Sequence, residues 1–324
     1  MAAEDTFSTL SITSLPNEVL RIIFTKLDWK SIYKTRLTSK FFNTFITSNI
    51  KYLPKPRLLS LDISSFEESD GSIKFSYKLT NSLKTIEFKS FYLSEDENKI
   101  EKLKNYLSRL DLTNGISLCI NTTGKAIIFD LLNGYFQENT KFYYLKLFID
   151  KNQEFESFSS FIQKMKYIVY FHIIKICFQD QIIPQDYTLP MVDKMRSLTI
   201  SECDCTNFVN PLMISKLFSN NKELGTIEIL SKCYKFQENL LENIKNRQEI
   251  CDGSDNHRNY TLTFSHQSLM GAFDDVRNFF PCGSYHIVPY REKAGKFDAC
   301  KRCDKCNHDN LITFQYYKSF SFRK

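Results

Sequence analysis

The chain has 324 residues, a formal net charge of +6 and 42% hydrophobic residues, including 29 Phe and 17 Tyr. This content supports a real core and excludes a disordered chain, while nine Gly and eight Pro are too few for a loop-rich all-β fold or a glycine-dependent nucleotide site. The length leaves room for a small module followed by one large domain.

The N-terminus, Met1-Ala2-Ala3-Glu4-Asp5, is acidic and lacks the basic and apolar regions of a signal peptide. The first predicted helix begins near Pro16, whose missing N–H costs nothing in a first turn. Glu18 follows where a carboxylate complements the helix dipole. Val19, Leu20, Ile23, Phe24 and Leu27 then recur at helical spacing as one apolar stripe. Asp28 is a predicted N-cap for a second helix carrying Ile32, Tyr33 and Leu37, and Ser39 caps a third with Phe41, Phe42, Phe45 and Ile46. Three short helices cannot bury so much apolar surface among themselves. The surplus implies a partner.

The register of Leu15-Pro16-Asn17-Glu18-Val19-Leu20, Ile23-Phe24, Leu27-Asp28 and Lys40-Phe41-Phe42 resembles the F-box, the helical module of cullin-based ubiquitin ligases. Thr38 stands where that family usually has Val, and Phe42 where it often has Trp. The resemblance covers residues 11–52. It implies that Leu15, Pro16, Val19, Leu20, Ile23, Phe24, Leu27, Ile32 and Phe42 contact a Skp-type adaptor, and through it a cullin. It also implies that the chain is a non-catalytic receptor that presents a protein substrate.

Past a Pro-rich hinge, Pro54-Lys55-Pro56-Arg57, alternating apolar pairs return every 24 to 35 residues. They are Leu59/Leu61, Ile86/Phe88, Leu118/Ile120, Leu145/Leu147, Ile174/Ile176, Leu198/Ile200, Ile227/Ile229, Leu262/Phe264 and Ile312/Phe314, with a weaker pair at His286/Val288. Period-two alternation reads as short strands, and helical stretches such as Ile100 to Leu110 and Pro211 to Phe218 lie between some of them. One strand and one helix per such step is the pattern of a solenoid. Met195-x-x-Leu198-x-Ile200-x-x-Cys203 resembles a leucine-rich repeat, and Leu83-x-x-Ile86-x-Phe88 and Leu224-x-x-Ile227-x-Ile229 keep its strand core. An ordinary α/β domain would show similar spacing. The expected fold is therefore mixed α+β and α/β: a three-helix F-box, then an irregular leucine-rich-repeat-like solenoid of short parallel strands and helices over residues 58–324. In such a solenoid Ser60, Glu87, Lys146, Lys175, Thr199 and Glu228 would line the sheet's open face.

The most apolar run, Tyr167 to Phe178, contains His172 and Lys175 and is too short and polar to span a bilayer. Together with ten cysteines expected to be reduced, this predicts an intracellular protein, cytoplasmic or nuclear, with no membrane partner. Cys119 and Cys177 are expected to pack as small hydrophobes. Cys300-x-x-Cys303-x-x-Cys306-x-His308 has donors suited to zinc, with Cys282 or His286 as distant fourth ligands. Four candidates within nine residues fit a cysteine-rich loop better, so no metal site and no cofactor is assigned. Residues 291–324 carry nine Lys or Arg against four acidic residues. This motivates an alternative, a zinc-containing nucleic-acid-binding repeat protein, although a solvated basic terminus needs fewer assumptions and nucleic acid is not the expected partner. A second alternative is an F-box scaffold outside ubiquitination. No phosphate-binding loop, dinucleotide fingerprint, Gly-x-Ser-x-Gly elbow or His-Glu-x-x-His is present, so no catalytic residue is expected.

Overall fold

The computed structural model describes residues 11–94, 97–125, 127–138, 140–151, 154–179, 181–233, 235–249, 259–266, 268–280, 285–291 and 295–318. A 3-10 turn at Ile12–Ser14 leads into α1 (Asn17–Thr25), α2 (Trp29–Arg36) and α3 (Lys40–Asn49). Both predicted caps form. Asp28 Oδ1 accepts from the Lys30 and Ser31 amides at 2.8 and 3.0 Å, and the Ser31 donors hold its carboxyl below the usual value. Ser39 Oγ accepts from Phe42 N at 3.2 Å. Ser39→Ala should therefore cost about 1 kcal/mol, read as a lower urea midpoint for unfolding of the helical module.

The three helices and Leu53 share a core of their own, made of Leu20, Phe24, Ile32, Phe45, Ile46 and Leu53. Phe24 is its hub, with ring centroids 5.3 Å from Phe45 and 5.8 Å from Phe42. The Pro-rich segment that follows is pinned, in contrast to the hinge expected of it. Lys55 Nζ donates to Ser108 O at 2.7 Å, Arg57 Nε to Asn114 O at 2.7 Å, and Asp111 N to Pro56 O at 2.9 Å. These bonds tie the helical module to the sheet beside it.

Among the described residues the sheet has twelve strands. β1 (Leu58–Glu67), β2 (Ile73–Asn81) and β3 (Thr85–Tyr92) form an antiparallel meander. Then come α4 (Glu97–Ser108), β4 (Asn114–Thr123), α5 (Ile128–Asn133), β5 (Lys141–Asp150), α6 (Phe155–Gln163), β6 (Tyr167–Ile176) and β7 (Ser197–Glu202). The chain continues through α7 (Pro211–Asn220), β8 (Thr226–Leu230), α8 (Phe236–Glu249), β9 (Tyr260–His266) and α9 (Leu269–Phe279). It closes with β10 (His286–Arg291), β11 (Lys296–Arg302) and β12 (Asp309–Lys318), a second antiparallel meander. In space the order is β10-β11-β12-β9-β8-β7-β6-β5-β4-β1-β2-β3. The inner strands β1, β4, β5, β6, β7, β8, β9 and β12 are parallel and neighbours in chain order.

All the helices of the sheet region serve one face. Ile128, Phe129 and Leu132 of α5, Phe158, Phe161 and Ile162 of α6, and Met213, Ile214, Leu217 and Phe218 of α7 share one core with alternate strand residues such as Leu118, Leu147, Ile200 and Phe264. Among the described residues no helix covers the other face, so these parallel strands alternate apolar and polar instead of running continuously hydrophobic. The strands β1 to β12 and the helices between them thus form a one-sided α/β layer pair after an all-helical module.

Several predicted strand pairs shift in register. In β1 the core residues are Leu58, Leu61 and Ile63 while Leu59 is exposed, because the β1–β2 ladder slips between Leu58 and Ser60. In β6, Phe171, Ile173 and Ile176 point inward and Ile174 outward, where the ladder to β7 slips between Ile173 and Ile176. Ile86 and Phe88 belong to β3, an antiparallel edge strand rather than a repeat. At β10 it is Ile287, between His286 and Val288, that packs on the core. Cys119 sits half-exposed on the open face, not in the apolar core.

Cys203, placed by pattern at a repeat's turn, is not the residue that organises it. Its neighbour Glu202 does so from a buried position. Glu202 Oε2 accepts from Phe208 N and Val209 N, both at 2.9 Å, and Oε1 accepts from Ser231 Oγ at 2.5 Å. One carboxylate thereby joins the end of β7, the loop after it and the end of β8.

Candidate functional site

Two surfaces of the molecule are unusual, and the helical module carries the first. Leu20, Phe24 and Ile32 are buried inside it, Leu20 at 0% exposure, while Leu15, Ile23, Leu27 and Phe42 pack half-buried against the same core. Pro16 and Val19 are exposed. The large apolar side chains that the module leaves in solvent are Ile12, Val19, Ile22, Tyr33, Leu37, Phe41 and Tyr52, with Ile22 at 63% and Leu37 at 72% exposure. Seven such residues on so small a module are more than a solvated surface needs, and exposed apolar area on this scale marks an interaction surface. Beside Tyr33 and Leu37 a shallow groove of about 600 Å³ is lined also by Arg36, Ser39, Lys40 and Asn43.

Sequence reasoning missed Ile22 because it followed a single stripe. Ile23 packs with Leu20 and Phe24 on the core, whereas Val19 and Ile22 lie beyond the edge of that face and are exposed. An apolar arc wider than its own core can cover has a second thing to touch. Thr38, the departure from the family pattern, is exposed, and its hydroxyl donates to Thr35 O at 2.8 Å, so it burdens nothing.

The second surface is the open sheet face. The strand registers place Asp62, Cys119, Lys146, His172, Thr199, Glu228, Thr263 and Gln315 in one transverse row. Lys146, Thr199 and Glu228, expected from alternation, fall in it. Ser60 lies one row away with Ser117, Tyr144 and Tyr170, and Lys175 sits beside Phe148, its Nζ 2.9 Å from Asp150. Glu87 is on β3 beyond the parallel strands.

At the row's centre His172 Nδ1 is 3.3 Å from Thr199 Oγ1, and Nε2 is buried without a protein partner. Burial first, then the Lys146 charge, draws its pKa below the ordinary value. The unfolded chain therefore takes up this proton before the folded one does. Stability is lost as pH falls through the unfolded value of about 6.5 toward the lower folded value. A histidine NMR titration should place His172 below about 6.5, and His172→Gln should lose less stability than wild type between pH 7 and pH 5.

The sequence pattern of the F-box domain matches residues 12–54. Those residues are an F-box domain. Comparison of the chain with curated proteins and with solved structures gives no match. The F-box match covers the helical module and both of its sides, the buried core and the exposed apolar surface. The sheet is described by its own topology alone.

Among the described residues, Cys300, Cys303, Cys306 and His308 of the tail do not bring three ligand atoms within 4.8 Å of one another. Cys303 is buried, Cys300 and Cys306 are half-buried, and His308 is exposed. They flank the β11–β12 turn, where Cys303 N donates to His308 O and Asn307 N to Cys303 O, both at 2.9 Å. Cys282 lies outside the described residues. Among the described residues, three metal-ligating atoms come within 4.8 Å of one another at a different place, Cys177, Cys203 and Cys205. Among them, too, no helix is long and apolar enough to cross a membrane.

Proposed function

We propose that this protein is a substrate receptor of an SCF-type cullin–RING ubiquitin ligase, with the F-box bound to a Skp-type adaptor and the sheet domain bound to a protein substrate. The observation that carries this reading is the apolar surface left uncovered on a module that already has a complete core. Leu15, Pro16, Val19, Ile23, Leu27 and Phe42 supply adaptor contacts from its partly or fully exposed positions. Leu20, Phe24 and Ile32 act from beneath by holding the helices in register.

We further infer that residues 58–324 are an irregular leucine-rich-repeat-like solenoid. Supporting this are eight parallel strands that neighbour one another in chain order, helices confined to one face, and starts of β4 to β9 at residues 114, 141, 167, 197, 226 and 260. The open face, with Asp62, Lys146 and Glu228 among hydroxyls and Tyr144 and Tyr170, has the mixed charge and aromatic content suited to a protein ligand. The chain performs no chemistry in this reading. It holds a substrate lysine near a charged conjugating enzyme, and proximity raises the rate.

The test is co-expression of the full chain with a Skp-type adaptor and a cullin, followed by pull-down. Recovery of both supports the receptor reading. Recovery of the adaptor without the cullin replaces it with a scaffold outside ubiquitination, and recovery of neither removes it.

A further inference from the structure

At the carboxyl ends of two adjacent parallel strands, three thiols converge that neither the F-box nor the open face uses. Cys177 directly follows β6, Cys203 directly follows β7, and Cys205 lies two residues on. Cys203 Sγ is 2.9 Å and Cys177 Sγ 3.3 Å from Cys205 Sγ, and all three sulfurs lie within 4.8 Å of one another. We propose that Cys177, Cys203 and Cys205 form a zinc site, three thiolates holding one Zn²⁺ with a fourth position open beside the exposed Cys205.

The geometry fits the ion. Three sulfurs bound to zinc at about 2.3 Å would stand roughly 3.8 Å apart, so small side-chain rotations suffice to admit the ion. The backbone that presents them is fixed. Cys177 N donates to Ile149 O and Cys203 N to Ile176 O, at 2.9 and 3.0 Å. Thr206 Oγ1 accepts from Phe178 N at 2.8 Å and lies 3.2 Å from Cys203 Sγ. The loop is thus stitched to the strand end on both sides of the thiols.

The surroundings are also those of a thiolate site. The Lys151 main chain acts to lower the pKa of the Cys177 thiol and the Cys205 main chain that of Cys203, so both favour the thiolate form that a metal binds. Lys232 is held at the rim by Asp204, with Nζ 2.8 Å from its carbonyl oxygen and 3.3 Å from Oδ1. Its ammonium offsets part of the charge of three thiolates. Without an ion, burial and then the neighbouring thiols push Cys177 up to about 12, so it stays protonated at neutral pH. Burial would also raise Cys203, but its hydrogen bonds with Cys177, Cys205 and Thr206 outweigh it and draw that thiol down. A bound cation removes the remaining penalty by ionising the set, and its uptake releases protons. No Asp, Glu or His among the described residues joins the group, which leaves the open position to water or an incoming ligand.

The experiment uses the full chain, reduced with a phosphine and stripped of metal. Titration with Co²⁺ should give sulfur-to-cobalt charge-transfer absorption saturating at one equivalent, and Zn²⁺ should displace it. Cys205→Ser, at an exposed position, should weaken Zn²⁺ binding at least ~100-fold, beyond the 10–100-fold seen when only a supporting hydrogen bond is lost. Cys306→Ser should leave binding unchanged. Alkylation of wild type mapped thiol by thiol decides the matter independently of how any variant folds. Zinc should slow labelling of Cys203 and Cys205, and chelator should restore it. No charge-transfer band, or protection confined to Cys300, Cys303 and Cys306, would overturn the proposal.

Discussion

Replacing Ile22 with Asp should reduce capture by a Skp-type adaptor more than ~100-fold while the F-box stays folded. Ile22 is largely in solvent, so the change costs the free chain little. In the complex it removes about 1.5–3 kcal/mol of apolar burial and adds the desolvation of a carboxylate. Together these exceed the roughly 2.7 kcal/mol that a hundredfold loss requires. Leu37→Asp, at the C-cap of α2 in the groove of Tyr33 and Lys40, should act the same way. Leu20→Asp should also abolish capture, for a different reason. Its side chain is wholly enclosed by the module's own core, and a charge there unfolds α1. Pull-down must therefore be read beside circular dichroism and a melting curve. Wild-type capture by both Ile22→Asp and Leu37→Asp would remove the exposed apolar surface from the interface. Loss of helix in either would make that variant a stability result.

Local chemistry was readable in the sequence wherever it depended on neighbours along the chain. Asp28 and Ser39 cap α2 and α3 because a short polar side chain ahead of an apolar helical run has one good use. The pairs Leu118/Ile120, Leu145/Leu147, Ile227/Ile229 and Leu262/Phe264 face the core because alternation survives wherever the ladder is unbroken. Where a ladder slips, at Leu58–Ser60 and at Ile173–Ile176, one residue of offset sends Leu59 and Ile174 outward. Nothing in the residues themselves announces that offset.

Other features were written in the sequence and overlooked. Ile73, Phe75, Tyr77 and Leu79 alternate without interruption through β2, and Asp70-Gly71 ahead of them supplies the hairpin turn, with Gly71 at φ +80°. The antiparallel meander was legible there. Within the F-box, pattern gave residue identities but not their sides. Leu20 and Ile22 are equally apolar, and which one faces a partner depends on where α3 and Leu53 pack. The Cys177, Cys203 and Cys205 cluster was hidden more deeply. Twenty-five residues separate its first two members, and only the parallel register of β6 and β7 makes them neighbours. The compact Cys300-x-x-Cys303 spacing drew attention instead.

Glu202→Ala should cost about 3–4 kcal/mol of stability, a large value for one side chain. Phe208 N, Val209 N and Ser231 Oγ would all lose their acceptor in a buried place, and a buried donor left unsatisfied costs about 1–3 kcal/mol. The three belong to one network, so the losses add incompletely. Glu202→Gln keeps an oxygen for the two loop amides but turns an NH₂ group toward Ser231 and the Lys232 main chain. It should cost less, about 1–2 kcal/mol. The acid form separates the two forces on this carboxyl. Burial raises its pKa, while Ser231 and the Val209 and Phe208 amides pull the other way, and burial prevails. A carboxyl whose folded pKa lies above the unfolded value contributes most at low pH, and that contribution fades as pH rises through the folded value. The gap between wild type and Glu202→Gln in urea unfolding should therefore widen from pH 7.5 to pH 5. If it narrows instead, the hydrogen-bond donors outweigh burial, the group is held ionised, and the loop after β7 is organised around a fixed negative charge.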